Sequence, residues 1–177
     1  MGVCCSSIFS QQTGTFTDTR DGKTYKTVKI GSQVWMAKNL AFKMDSGCWA
    51  NDNNKSNLIK YGYLYNWEAA KKACPAGWHL PSKSEFDSLL NNYDDGDHGS
   101  YVALIPGGNS GFSALFGGCL SSNGVSLIVG VEAYFWSSSP SDAETVWNLF
   151  IGSTYSRAAV SYSSPLCSFS VRCLQNN

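Results

Sequence analysis

Only a few residues in this chain could do chemistry by type and spacing. There are two histidines, His79 and His98, and seven cysteines. His98 closes the acidic run Asp94, Asp95, Asp97, where oxygen ligands for calcium could gather, but the spacing fits no EF-hand loop. His79 sits in Gly-Trp-His-Leu-Pro, where a packed, hydrogen-bonded ring is the simpler expectation than a general base. No C-x-x-C pair is present, and with so few histidines a Cys/His zinc cage is not expected. No nucleophile stands beside a base, so the expectation is a non-enzyme with no required metal or organic cofactor.

The other chemistry is recognition. Residues 139–164 mix Ser, Thr, Asn and Ala with isolated aromatics, a composition that adaptable binding surfaces use. Alternation along Val146–Ile151 turns Leu149 and Ile151 inward and Asn148 and Phe150 outward. The candidate ligand contacts are Asp142, Glu144, Trp147, Asn148, Phe150, Tyr155, Arg157, Ser161 and Tyr162. Trp35, Trp67, Trp78 and Trp136 read as core, whereas Trp49 and Trp147 are open to either role.

These residues need a frame. At 177 residues the chain suits one domain. Hydrophobic residues make up 43%, charged residues 15%, and the formal net charge is zero, which argues against a nucleic-acid partner. No stretch is long and apolar enough to span a bilayer. Residues 1–15 read as a flexible leader and 16–177 as the domain. The leader shows no signal peptide, although Met1-Gly2 and Ser6 fit a myristoylation pattern, with Cys4 and Cys5 as possible acyl sites. Cysteine usage favours an oxidising compartment, hence an extracellular, cell-surface or phage location.

Asp21-Gly22 marks a hairpin turn before the alternating Tyr25, Val28, Ile30 strand, and Val34–Met36 forms another. Residues 43–60 read as a surface loop. Asn66 caps a first short helix, and Ser82 or Ser84 a second one with the capping-box spacing to Glu85. The second half is rich in Gly and Ser and lacks helical periodicity. It reads as strands at 101–105, 126–131, 134–137, 146–151, 157–162 and 169–174. The class is α+β, with two short helices early and a strand- and loop-rich C-terminal half.

Five strings occur in order: Asp21–Leu40, Tyr61–Phe86, Gly111–Gly118, Phe135–Ser139 and Phe169–Leu174. On these the chain resembles the Fibrobacter succinogenes major paralogous domain family, common in surface proteins and lipoproteins of Bacteroidetes. The resemblance implies a C-type-lectin-like fold of the formylglycine-generating-enzyme type. It also implies a disulfide from Cys74 to Cys173, while Cys119 and Cys167 are additions that could bond each other. Leu58 stands where many members carry the partner of Cys48. The resemblance extends to variable proteins of diversity-generating retroelements, whose C-terminal region changes to alter ligand specificity. The implied function is a non-catalytic ligand- or receptor-binding module that meets a protein or glycan on another surface. The alternative is a structural or assembly domain of a bacterial surface layer or filament. Oligomeric state is not legible.

Overall fold

The computed structural model describes residues 11–93 and 97–177. Among the described residues, three antiparallel sheets and four α-helices make an α+β domain around two hydrophobic clusters. The strands are β1 (Thr13–Thr17), β2 (Thr24–Ile30), β3 (Gln33–Met36), β4 (Cys48–Ala50), β5 (Tyr63–Asn66), β6 (Trp78–His79) and β7 (Cys119–Leu120). They continue with β8 (Ser126–Leu127), β9 (Glu132–Pro140), β10 (Val146–Gly152), β11 (Arg157–Ser163), β12 (Ser168–Phe169) and β13 (Leu174–Gln175). The helices are α1 (Lys55–Tyr61), α2 (Trp67–Ala73), α3 (Lys83–Asn91) and α4 (Asp97–Leu104).

The first sheet runs β1-β2-β3-β13-β6, so early strands pair with the last one. Tyr25, Val28 and Ile30 are all buried, Tyr25 in one cluster and Val28 and Ile30 in the other, so β2 is covered on both faces. β1 begins at Thr13, three residues inside the stretch expected to be leader; its pairing with β2 overrides a polar composition. Residues 1–10 of that leader, with Gly2, Cys4 and Cys5, lie outside the described residues.

Both expected helices form where their caps predict. Asn66 accepts a hydrogen bond from the Ala69 amide, and Ser82 and Glu85 complete a reciprocal capping box. Two further helices were not expected. The presumed loop 43–60 contains β4, a 3-10 turn and α1, which Asn54 caps through the Ser56 amide. Residues 101–104 belong to α4, not to a strand. Tyr101 and Val102 favour strands by type, but burial of Ala103 and Leu104 decides the local structure. The expected strand at 126–131 stops after two residues, because Ile128 adopts a positive φ of 55°.

The segment 168–175 is not one strand. It threads all three sheets: β12 pairs β5 and β7, Ser170 bridges Phe135 of β9, and β13 pairs β3 and β6. Arg172 fixes the crossing. It is fully buried and donates to Asn39 Oδ1 (2.9 Å), the Met36 carbonyl (3.3 Å), the Ser113 carbonyl (2.9 Å) and the Phe112 carbonyl. Burial pushes its pKa down to about 9, so the guanidinium stays charged at neutral pH. Carbonyl and amide dipoles, with the Phe112 ring 4.5 Å from the guanidinium carbon, hold that charge.

Cys74, just after α2, and Cys173, just before β13, are joined by a disulfide, as the resemblance implies. Cys119 and Cys167 are free thiols, which corrects the expectation that they pair. Ser168 faces Leu120 across β12 and β7, so the continued register brings Cys119 opposite Phe169. Cys167 is then one diagonal away, roughly 7–8 Å, beyond the ~4.4–6.8 Å Cα separation that a disulfide takes.

Candidate functional site

The candidate contacts lie on the three-stranded sheet β9-β10-β11 and its turns. One face of that sheet carries Leu149, Ile151 and Ala158 into a core shared with Phe86 and Leu104. The other places Tyr134 and Trp136 against Phe169, with ring centroids 4.8 and 4.2 Å apart. Cross-strand registry assigns each candidate to a face, because directly opposed residues share one.

Trp147 pairs with Tyr162 across β10 and β11, and their rings meet edge to face at 5.8 Å. The pairing of β10 with β9 explains why this pair stands at the surface. Val146 opposes Pro140 and Asn148 opposes Trp136, so Ser137, Ser138 and Ser139 together span the place of the single residue Trp147. Such an irregularity re-aims side chains. The surplus serines are not idle. Ser139 Oγ accepts from the Lys83 amide, the Ser138 amide donates to the Pro81 carbonyl, and the Ser137 carbonyl accepts from Trp67 Nε1. They fasten the end of β9 to the starts of α3 and, through Trp67, α2, and the Lys83 ammonium comes to rest 5.1 Å from the Trp147 ring centroid. Tyr162 is 61% exposed.

The turn between β9 and β10 adds acidity at the same end. Asp142 Oδ1 accepts from the Glu144 and Thr145 amides at 2.8 and 2.7 Å, and these bonds hold its carboxyl below the usual range. Asp142 and Glu144 thus lie in the turn next to the strand end that carries Trp147 and Tyr162, where Lys83 meets the Trp147 ring while its ammonium pairs with Asp87 Oδ2 at 2.7 Å. Sequence reasoning missed Lys83, and no local signal could have found it, since 64 positions separate it from Trp147.

The other candidates are elsewhere. Tyr155 and Arg157 occupy the β10–β11 turn at the opposite end, roughly 20 Å along a seven-residue strand. His98 reaches this turn through Ser156, its Nδ1 lying 3.3 Å from the carbonyl oxygen. Asn148, Phe150 and Ser161 are on the other face. Asn148 was expected to point outward, but it is fully buried and donates to Ser163 Oγ at 3.1 Å. The reason is that this face is packed as well, with Phe169 stacked on Tyr134 and Trp136, which simple alternation cannot register. Phe150 is half-buried, tilted against Tyr134 at 5.4 Å. The nine candidates therefore do not form one patch.

Asp94 and Asp95 lie outside the described residues, and Asp97 opens α4. Among the described residues no three His, Cys, Asp or Glu side chains gather as metal ligands. His79 is held between Asn176 Oδ1 (2.7 Å) and Glu85 Oε1 (3.0 Å), hydrogen-bonded as its sequence context predicts but with a side chain still 38% exposed rather than packed. Burial pushes the thiols of Cys48 and Cys167 up, and that of Cys119 up to about 11, with Cys167 and Glu132 adding to the last. All three are protonated at neutral pH and poor nucleophiles.

The family model described as Fibrobacter succinogenes major domain matches residues 28–175, from within β2 to the end of β13. The chain belongs to this family. Every element that positions Trp147, Tyr162 and Lys83 lies inside the Fibrobacter succinogenes major domain. No curated protein and no solved structure matches the chain. Among the described residues of this domain, no helix is long and apolar enough to cross a membrane.

Proposed function

We propose that this domain is a non-catalytic ligand- or receptor-binding module with a C-type-lectin-like fold, displayed on a bacterial or phage surface. It engages a protein or glycan through the sheet end built from Asp142, Glu144, Trp147, Tyr162 and Lys83. The observation that carries this reading is the three-serine irregularity in β9, which presents an aromatic pair at the surface on a rigid support. Aromatic residues on fixed strands lose little conformational entropy when they meet a partner. The C-type-lectin-like part rests on the family resemblance, supported by the disulfide and by early and last strands sharing one sheet. Retroelement-driven variation of residues 139–164 belongs to the same reading, since these residues fall on strands and turns held by buried neighbours.

The test is a binding screen with the oxidised domain against a glycan array and bacterial surface proteins, followed by variants against the partner found. Trp147→Ala and Tyr162→Ala should each weaken binding by roughly 30-fold, the effect of truncating an aromatic anchor. Tyr155→Ala, at the far end, should bind within about threefold of the parent. Normal binding by both aromatic variants, with loss in Tyr155→Ala, would move the site to the other turn. A domain with no partner in either panel would favour the structural or assembly role.

A further inference from the structure

The third sheet, β4-β5-β12-β7-β8, has a core face and an outer face. Tyr65, Phe169 and Cys119 point into the core. Cross-strand registry places Trp49, Leu64, Ser168 and Leu120 on the opposite face, where all but Trp49 are buried. A pocket of about 250 Å³ opens there, walled by Trp49 and Asn53 on one side and by Ser121, Ser122 and Leu166 on the other, with Ser168 between. It is below the ~300–1,000 Å³ of pockets that enclose drug-sized ligands, and nearer to one sugar ring. None of its nine lining residues is ionisable. Its Trp49 wall remains 41% exposed.

The two walls are fastened together. Asn51 is buried, and its Nδ2 donates to the Gly117 carbonyl at 2.6 Å while its Oδ1 accepts from Ser126 Oγ. These bonds join the β4 side to the β7–β8 side across more than 60 positions. Behind Trp49, Asp52 and Asn53 both take positive φ, 55° and 50°, an uncommon arrangement for two successive non-glycine residues. Such local strain persists only where the surroundings hold it, and it concentrates at ligand sites. On the opposite wall, Ser121 Oγ donates to Asn123 Oδ1 at 2.5 Å and accepts from the Val125 amide at 3.2 Å, closing that turn. The pocket is thus preformed, with an indole face, hydroxyl and amide groups, and no charge.

We propose that this pocket binds one neutral pyranose ring of a glycan. The polarised C–H face of a pyranose suits the electron-rich indole face, while its hydroxyls suit Ser and Asn side chains. A charged ligand would be stripped of water without a counter-charge, which is costly. The site shares no residue with the Trp147–Tyr162 surface and stands whether or not that surface binds a partner.

The test titrates the oxidised full chain with the methyl glycosides of glucose, mannose, galactose, fucose and N-acetylglucosamine, followed by two-dimensional amide NMR. At least one glycoside should give a saturable shift at the amides of 49–53, 120–124 and 166–168, with a millimolar Kd. Trp49→Ala should weaken it at least about tenfold and Trp49→Phe by no more than about threefold, while Tyr162→Ala leaves it unchanged. Ser122→Trp, which fills the pocket from an exposed position, should abolish it, and serves if Trp49→Ala folds poorly. The proposal is overturned if no glycoside saturates by about 50 mM. It is equally overturned if saturation survives Ser122→Trp, or if glucuronate or glucosamine binds more tightly than the neutral sugars.

Discussion

Asp18 has no solvent-exposed side-chain surface, and its carboxylate is met by Arg20 from three directions. Arg20 donates Nη2 to Oδ2 at 2.7 Å, Nε to Oδ1 at 2.9 Å, and its own backbone amide to Oδ1 at 3.0 Å. The same guanidinium reaches the Ala73 carbonyl at the end of α2 and lies 3.7 Å over the Phe42 ring. Hydrogen bonding from Arg20 outweighs burial and holds the Asp18 carboxyl below the usual carboxylate range. A pKa that is lower when folded contributes stability above the unfolded value of about 3.9, and that contribution is lost as pH falls through the folded value. Asp18→Asn should therefore lower the urea midpoint at about pH 7, and the gap to the parent should narrow towards about pH 3. A gap that stays constant over this range would remove Asp18 from the acid sensitivity of the fold. Neither Asp18 nor Arg172 was legible as a structural centre. Each is completed by groups far away in the chain, the Ala73 carbonyl for the Arg20 that grips Asp18 and Asn39 for Arg172. Where the context was local, as for Ser82 and Glu85 at the start of α3, the sequence was enough.

Among the elements, α3 shows how far local signals reach. Its capping box is reciprocal: Glu85 Oε2 accepts from the Ser82 amide at 2.7 Å, and Ser82 Oγ accepts from the Glu85 amide at 3.3 Å. Burial would raise the Glu85 pKa, but the Ser82 donors and His79 together bring it below its usual value. Ser82→Ala should cost about 1 kcal/mol, read as a lower urea midpoint with an unchanged slope. A loss under about 0.3 kcal/mol would mean that the tie from the Lys83 amide to Ser139 Oγ fixes this helix end by itself. The strand β10 was placed almost to the residue, yet its outward face was misassigned. Period-two reasoning takes one covered side and one wet side, and this sheet is covered on both over much of its length. That is why Asn148 is internal, and why the surface aromatics appear where registry breaks.

For the molecule as a whole, the α+β class, the early helix pair and the family were legible, because five blocks in order carry them. The division into three sheets was not, since the link between them is the single stretch 168–175, whose composition resembles one strand. The Cys74–Cys173 disulfide spans 99 positions. Closing a ring of that size is worth about 4–5 kcal/mol in the chain-entropy view. Reduction, or Cys74→Ala with Cys173→Ala, should lower unfolding free energy by about 2–5 kcal/mol, measured by urea denaturation. Non-reducing peptide maps should recover that one bridge, with Cys119 and Cys167 alkylated only after unfolding. A recovered Cys119–Cys167 peptide would contradict the registry described for β7 and β12.

The same bridge encloses the chain from Leu120 to Leu166, with Trp147, Tyr162 and one wall of the pocket inside the ring it closes. A protease that nicks the exposed turn at Thr154–Tyr155 would cut the polypeptide without releasing either piece. The two fragments would travel as one molecule until a reductant parted them, so damage at this exposed turn need not shed the domain from whatever carries it.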